Sequence, residues 1–196
     1  MKRCFDLVCA LTGLALVSPV LIIVTVIIKA GSSGSIFYRG VRAGLGGKPF
    51  SMLKFRTMVA DADKIGGPST SGDDPRITPI GRWMRAYKID EIPQLINVVR
   101  GEMSIVGPRP EVLSEVERYD ERQKRLLQVR PGITDFASIR FRNEGEILRG
   151  AADPHEAYLR LIQPEKTRLG LQYVEQSSLL VDLKIIFMTV RAVILG

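Results

Sequence analysis

The longest hydrophobic pattern in the chain is an apolar run over residues 7–28, close to the N-terminus. About 20 apolar residues can cross a bilayer as a helix, so this run places the chain at a membrane. Pro19, in the middle of the run, has no N–H and leaves the carbonyl of Ala15 without its helical partner. Ser18, just before the proline, is pushed away from helical angles. Because hydrocarbon supplies no partner for backbone polar groups, we expect the Ser18 hydroxyl to bond a carbonyl one turn back.

Three arrangements of this run are open: a spanning helix with a mild kink, a cleaved signal peptide, and a re-entrant hairpin with both ends on one side. The apolar stretch is too long for a signal peptide, and no small-x-small cleavage site precedes Lys29. Positive charge marks the cytoplasmic side, and both ends carry it: Lys2, Arg3, Lys29, Arg39, Arg42 and Lys48. The pattern predicts that residues 1–30 form a re-entrant membrane helix broken at Ser18-Pro19.

The rest of the chain, residues 31–196, predicts one cytoplasmic, membrane-associated domain that follows a flexible connector over 31–35. Strand-like stretches at 36–39 and 50–57, around a turn at 44–49, predict a β-hairpin. A polar segment over 61–76 with Gly, Pro and Ser predicts a mobile loop. Helices are predicted at 81–87, 92–99, 111–127, 154–176 and 178–193, the last as either an interfacial or a core helix. The predicted fold class is α+β and mostly helical, with a small β-hairpin and several amphipathic or interfacial helices.

The charge balance limits the classes of partner that the chain is expected to bind. The formal net charge is +7 and the sequence pI is about 9.6, which suits anionic lipid, phosphate esters or nucleic acid. The apolar N-terminus favours the first two. The two cysteines, Cys4 and Cys9, lie in or beside the apolar run, so no disulfide framework is expected and a reducing compartment fits. The single histidine, His155, is expected as an exposed first-turn residue, which disfavours a Ser-His-Asp mechanism or a zinc site.

The strongest chemical motif is YKIDEIPQL over residues 87–95. Pro93 fits the first turn of a helix, so Asp90 is predicted at or near the N-cap. Exposed N–H groups and the helix dipole there stabilise an ionised carboxylate. An ionised Asp90 can act as a nucleophile, and the neighbouring Glu91 can share a hard cation or move a proton. The alternative is that the two acids only cap a helix.

Four cations accompany this motif in the sequence. Arg85 lies five residues before Asp90, and Arg109 stands between two prolines that fix its backbone. The planar guanidinium of such an arginine suits two phosphate oxygens. Lys54 and Arg56 share one face of the second predicted strand and could point at the same anion. The alternative for each is a solvated surface charge.

Taken together, the motifs resemble those of the monotopic phosphoglycosyl transferases, the bacterial sugar transferase family, and in particular its small members. They run nearly end to end: SP at 18–19, KFRTM at 54–58, IDEIPQ at 89–94, NVVRGEMSIVGPR at 97–109, RPGIT at 130–134 and LVDLK at 180–184. The resemblance implies transfer of a sugar-1-phosphate from a UDP-sugar to polyprenol (undecaprenyl) phosphate, with release of UMP. It also implies a location at the cytoplasmic face of the bacterial inner (plasma) membrane, where glycan assembly begins.

The resemblance also implies a role for each site residue. Asp90 matches the catalytic nucleophile that forms a phosphosugar-enzyme, and Glu91 matches its dyad partner. The family cofactor, Mg²⁺, would lie at Asp90 and Glu91. The phosphate-binding residues would be Arg85, Arg109, Lys54 and Arg56, and Ser18-Pro19 matches the break in the membrane helix.

One segment departs from the family pattern. Residues 135–146 follow the PGIT motif with DFASIRFRNEGE, so sugar and nucleotide contacts are not carried over there. The partners implied are a UDP-sugar, polyprenol phosphate and an anionic phospholipid membrane, without nucleic acid, and a homo-oligomer stays open. An alternative is a non-enzymatic basic membrane adaptor that binds anionic lipid or nucleic acid. That alternative gives no reason for an Asp90-Glu91 pair beside a rigid Arg109.

Overall fold

A computed structural model describes residues 1–31, 34–62, 65 and 69–195 of the chain. The described part is mostly helical and contains two small sheets, which agrees with the predicted α+β class. Its elements in chain order are α1 (Lys2–Gly31), β1 (Phe37–Ala43), β2 (Pro49–Phe55), α2 (Pro79–Ala86), α3 (Gln94–Arg100), β3 (Ser104–Val106), α4 (Leu113–Val116), β4 (Gly132–Thr134), α5 (Phe136–Arg140), α6 (Glu144–Ile147), α7 (Pro154–Leu161), α8 (Gln163–Gln176) and α9 (Leu179–Leu195), with 3-10 turns at Leu45–Gly47, Ile89–Glu91 and Gln123–Gln128.

Helix α1 continues through Pro19 without interruption. The Ser18 hydroxyl donates to the carbonyl of Ala15 at 2.9 Å, the acceptor that the proline leaves without an N–H. This bond confirms the prediction for Ser18. Among the described residues, α1 is the one helix long and apolar enough to cross a membrane. Because α1 is a single segment in this structure, the predicted hairpin is not confirmed.

Both ends of α1 pack against the rest of the protein. Near the N-terminus, Ala10 is fully buried in a cluster with Val98 and Met103. Near the C-terminus, Val24 and Ile28 are buried in a second cluster. The middle of the helix is largely exposed. A helix of 30 residues is about 45 Å long, so the domain contacts two points that are far apart on it.

An ion pair and hydrogen bonds link the N-terminal turns of α1 to the rest of the protein. Lys2 pairs with Asp182 of α9 at 2.6 Å, and Arg3 donates to the carbonyl of Val98 at 2.6 Å. The buried carboxylate of Asp6 accepts from the hydroxyl of Ser104 at 2.9 Å. The N-terminal end of α1 is therefore held by ionic contacts as well as by apolar packing.

The predicted hairpin is confirmed: β1 and β2 pair antiparallel, with Gly40 opposite Met52. The turn closes with a bond from the Gly44 N–H to the Lys48 carbonyl at 2.8 Å. Gly46 lies at φ 65° inside this turn, a conformation that glycine adopts at little cost.

A second sheet, β3 with β4, is parallel and was missed by the sequence pattern. Its strands have three residues each, too few to show an alternation. The backbone segments that carry β3 and β4 approach closely at Gly107 and Gly132. A Cβ on Gly132 would lie 2.1 Å from the Gly107 nitrogen. This close approach positions the segment that carries Arg109.

The helical predictions were confirmed at α2, α3 and α9 to within a few residues. The prediction of one helix over 111–127 was wrong. Asp120 and Gln123 each accept from the other's backbone N–H, at 2.7 and 2.9 Å. Helix α4 has already ended at Val116, and this reciprocal cap starts the separate turn at Gln123–Gln128. The helix predicted over 154–176 is divided at Ile162, between α7 and α8.

Parts of two predicted flexible segments lie outside the described residues: 32–33 of the connector, and 63–64 and 66–68 of the loop. The described part of the loop is irregular and is closed at its base by a bridge between Met58 and Ile77.

Candidate active site

The acidic pair stands on a 3-10 turn between α2 and α3. Lys88 precedes it in the left-handed conformation, at φ 58°. Helix α3 begins at Gln94 with Pro93 as its N-cap, so Asp90 lies four residues before the helix. Asp90 is therefore near the N-cap of α3, as predicted, but the N-cap itself is Pro93, three residues further on. The Ile92 N–H bonds the Ile89 carbonyl at 3.2 Å, and this extra turn separates Asp90 from the end of α3.

Asp90 is only 5 % exposed. Its Oδ1 is buried and has no hydrogen-bond partner in the described part of the chain. Burial raises the pKa of Asp90, while the charge of Lys54 acts in the opposite direction. Burial and neighbouring charges thus act in opposite directions on the ionisation of this carboxyl.

Glu91 is held by two cations from distant parts of the chain. Its Oε1 accepts from the Lys54 ammonium at 2.9 Å and also from Arg109, and its Oε2 accepts from Arg109 at 3.0 Å. Burial alone would raise the pKa of Glu91, but the charges and hydrogen bonds of Arg109 and Lys54 hold it well below its usual range. In turn, the charge of Glu91 raises the pKa of Arg109. Glu91 is therefore ionised at neutral pH, and it organises both cations.

Arg85 reaches the site from the last turn of α2. Its Nε donates to the Thr57 hydroxyl at 2.9 Å, which leaves the two terminal nitrogens for other partners. Burial lowers the pKa of Arg85, and the charge of Asp90 opposes this shift. The guanidinium remains protonated at neutral pH because its ordinary pKa is so high.

One groove of about 1300 Å³ brings these side chains together. The site residues that line it are Lys54, Arg56, Arg85, Asp90, Glu91 and Arg109. The groove therefore unites all six residues that the sequence nominated for catalysis and phosphate binding. Ser18 and Pro19 lie apart from it, on the exposed stretch of α1.

Two polar residues, one lining the groove and one buried behind it at the start of α3, were missed by sequence reasoning. Lys88 lines the groove, and burial lowers its pKa. Gln94 is fully buried, and neither atom of its amide has a partner among the residues described. Gln94 belongs to the quoted IDEIPQ motif, so its polarity at the start of a helix was a usable signal.

His155 differs from the expectation of an exposed residue. It does lie in the first turn of α7, but its side chain is half-buried. Its Nδ1 lies 3.2 Å from the Ser69 hydroxyl, and its Nε2 lies 3.6 Å from a Glu115 oxygen. It lines the same groove as Asp90.

Comparison with known proteins gives this geometry a context. The family model described as "Bacterial sugar transferase" matches residues 1–196, the whole chain. The chain belongs to the bacterial sugar transferase family. It is 39 % identical to the exopolysaccharide production protein ExoY of Sinorhizobium fredii, covering 100 % of this chain and 86 % of that protein. It is 37 % identical to a UDP-glucose:undecaprenyl-phosphate glucose-1-phosphate transferase of Caulobacter vibrioides, covering 98 % and 69 %. A protein with the same description from Escherichia coli is 37 % identical, covering 97 % of this chain and 39 % of that protein.

Membership of an enzyme family sets aside the non-enzymatic adaptor. It also raises the question of whether this sugar transferase could hold Mg²⁺. In the described part of the chain no three His, Cys, Asp or Glu residues cluster as a metal site. Mg²⁺ commonly takes one or two carboxylates together with substrate phosphates. The unpartnered Asp90 Oδ1 fits that requirement, whereas the oxygens of Glu91 are engaged by Arg109 and Lys54.

Proposed function

We propose that this sugar transferase moves a sugar-1-phosphate from a UDP-sugar to undecaprenyl or another polyprenol phosphate and releases UMP. The observation that carries the proposal is the buried, unpartnered oxygen of Asp90 in a groove lined by cations. The names of the Caulobacter and Escherichia relatives describe this class of reaction with UDP-glucose. The reaction would begin glycan assembly on a lipid carrier.

In the first step, a carboxylate oxygen of Asp90 attacks the phosphorus that bears the sugar. An oxygen–phosphorus bond forms to Asp90, and the bond from that phosphorus to the bridging oxygen breaks. The bridging oxygen and its electron pair leave with UMP. Phosphoryl transfer mainly needs positioning and neutralisation of charge. The positive charge near Asp90 comes from three residues that line the groove: Arg85, Lys88 and Arg109.

In the second step, a phosphate oxygen of the polyprenol phosphate attacks the phosphorus of the phosphosugar-enzyme. The bond to Asp90 breaks, the carboxylate is restored, and a polyprenyl diphosphate sugar leaves. Glu91 acts here by keeping Lys54 and Arg109 in place. An oxygen of a phosphate monoester is already largely ionised at pH 7, since its second pKa is about 6, so this step needs no strong base.

For the cofactor, Asp90 would hold Mg²⁺ together with oxygens of the donor diphosphate. Glu91 is less available, because Arg109 donates to both of its oxygens and Lys54 donates to Oε1. When bound, the ion would neutralise negative charge on the diphosphate as it develops.

For the membrane, we propose that α1 turns back at Ser18-Pro19. It would then enter the bilayer and leave it on the same, cytoplasmic side. The support is that buried residues at both ends of α1 contact the same domain. The hydrocarbon of a bilayer is about 30 Å thick. A helix that crossed straight through would place its two ends on opposite sides of the bilayer. One domain could not then contact both ends.

The topology can be tested with a cysteine placed before Lys2, in a background that lacks Cys4 and Cys9. Intact cells are treated with a membrane-impermeant thiol reagent. We expect the parent to be protected. Replacing Ser18 and Pro19 with Ala should straighten the helix, carry the N-terminus outward and allow labelling. Labelling of the parent would mean a spanning helix.

The covalent step can be tested with Asp90→Asn, which keeps the shape of the side chain but removes the nucleophile. We expect no UMP release and an unchanged circular dichroism spectrum. The parent, treated with labelled UDP-sugar and no acceptor, should carry label on Asp90. Asp73→Asn, at an exposed position, is the control and should keep activity. Turnover of Asp90→Asn at a substantial fraction of the parent rate would contradict the covalent mechanism.

A further inference from the structure

The segment that departs from the family pattern, 135–146, forms a wall of the groove that the proposed mechanism leaves unused. Ala137, Ser138, Ile139 and Arg142 line the groove from α5 and the turn after it. Asp135 turns its carboxylate back to cap α5, where it accepts from the Ser138 N–H at 2.7 Å. The acidic side chain at the start of this wall is thus engaged by its own backbone.

Two polar side chains on this wall carry unsatisfied atoms. The Ser138 hydroxyl and the Arg142 Nε are buried, and neither has a hydrogen-bond partner within the described ranges. Arg142 donates through Nη1 to the Ala192 carbonyl in α9. Within the same ranges, no carboxylate pairs with Arg142. A half-buried guanidinium without a counter-ion is unfavourable, and buried donors usually have partners.

Glu144 and Glu146 of the same segment also line the groove, but Glu144 lies 3.4 Å from the Lys166 ammonium and Glu146 lies 2.7 Å from Arg149. Because both acids have cations of their own, while Arg142 has no carboxylate among the described residues, this part of the wall suits an anion.

One side of this wall is apolar. Ile133 and Ile139, together with Ala192 and Val193 of α9, line the groove. Helix α9 continues this character on its outer side, where Phe187 is 69 % exposed. The donor diphosphate has separate cations near Asp90, as described above. An anion attached to an apolar chain fits the Arg142 wall better than a nucleotide does.

We propose that Ser138 and Arg142 bind the phosphate of the polyprenol phosphate acceptor, whose chain leaves the groove past Ala192 and Val193 along α9. The proposal rests on the proposed function and names the place of its second substrate. Arg142 would supply charge. Because its Nε and the Ser138 hydroxyl are buried, both side chains would turn toward the groove that they line and donate to the phosphate there. The acceptor and the donor would then occupy different walls of one groove.

Two variants test this assignment: Arg142→Gln removes the charge, and Ser138→Ala removes the hydroxyl. The matched control is Arg140→Gln, an exposed arginine at the end of the same helix. We expect the KM for undecaprenyl phosphate to rise about tenfold to a hundredfold in Arg142→Gln and severalfold in Ser138→Ala, as the loss of charged and neutral hydrogen bonds predicts. UMP release from UDP-sugar without acceptor should stay near the parent rate. Arg140→Gln should change neither value.

A binding measurement tests the proposed acceptor site independently of catalysis. Radiolabelled farnesyl phosphate is bound to the full chain in detergent and compared with farnesol and inorganic phosphate. We expect Arg142→Gln to weaken farnesyl phosphate binding and to leave farnesol binding unchanged. This difference would be visible even if the parent transferred no sugar, so failure of the proposed function is distinguishable from failure of the acceptor site.

Two results would overturn the proposal. If Arg142→Gln slowed acceptor-free UMP release as strongly as complete transfer, the residue would serve the donor diphosphate. If both variants, folded by circular dichroism, matched the parent in KM and in farnesyl phosphate binding, the unsatisfied atoms would have no role in the acceptor site.

Discussion

Lys54→Met should shift the pH dependence of the first chemical step. Lys54 is the nearby charge that most strongly lowers the pKa of Asp90, which burial raises. Methionine keeps the length of the side chain and its packing while removing the charge. Because Arg109 still holds Glu91, that neighbour stays ionised and continues to disfavour a second negative charge at Asp90.

The direction of the shift follows from the charges. A nearby positive charge lowers the pKa of a carboxyl, so removing the charge of Lys54 raises the pKa of Asp90. The Lys54 side chain is 21 % exposed, so solvent screens part of its effect without cancelling it. Attack requires ionised Asp90, so the acid limb of the rate profile should move to higher pH. At pH values below the acid limbs of both proteins, the variant should be slower than the parent by on the order of tenfold.

The measurement is single-turnover UMP release without acceptor, across the pH range in which the protein stays folded. Lys48→Met, at an exposed position in the hairpin turn, is the control and should keep the acid limb of the parent. If Lys54→Met lowered the rate equally at every pH and left the limb in place, the reasoning would be refuted. Lys54 would then act on the substrate and not on the ionisation of Asp90.

Three further outcomes are expected. Arg109→Lys should lose most of the activity, because one ammonium cannot reproduce the two bonds that Arg109 makes to Glu91; full activity in a steady-state assay would contradict this. EDTA should stop UMP release and Mg²⁺ should restore it, since Asp90 offers an unpartnered oxygen to a hard cation; activity that persists in EDTA would contradict it. Tyr173→Phe should lower the free energy of unfolding by about 1–3 kcal/mol, because the hydroxyl bonds buried Asp182 at 2.7 Å; an unchanged urea midpoint would contradict that.

Local chemistry was sufficient for several features of this protein. The bond from Ser18 to the Ala15 carbonyl follows from the proline that removes one N–H, and both partners lie within one helical turn. The glycines between β1 and β2 likewise predicted the hairpin from adjacent residues. Each of these features depends on residues that are close in the chain, so the sequence pattern alone could reveal them.

The state of the candidate site was decided by tertiary contacts. The sequence nominated Asp90 and Glu91, and it predicted a carboxylate stabilised by a helix end. The structure instead buries Asp90, and it binds Glu91 to Lys54 and Arg109, which are 37 and 18 residues away. Burial and ion pairs of this kind arise when distant segments meet, and no local pattern encodes which cation reaches which acid.

Two further features also depend on tertiary contacts: the parallel pairing of β3 with β4, and an Arg142 that has no carboxylate partner among the described residues. Short strands carry no readable alternation, and an arginine shows in sequence only its charge. The sequence by itself therefore determined the family, the apolar helix and the residue types available for phosphoryl transfer. Tertiary structure decided which of those charges are compensated and which buried groups have no partner in the described part of the chain, because desolvation and pairing are properties of the packed chain.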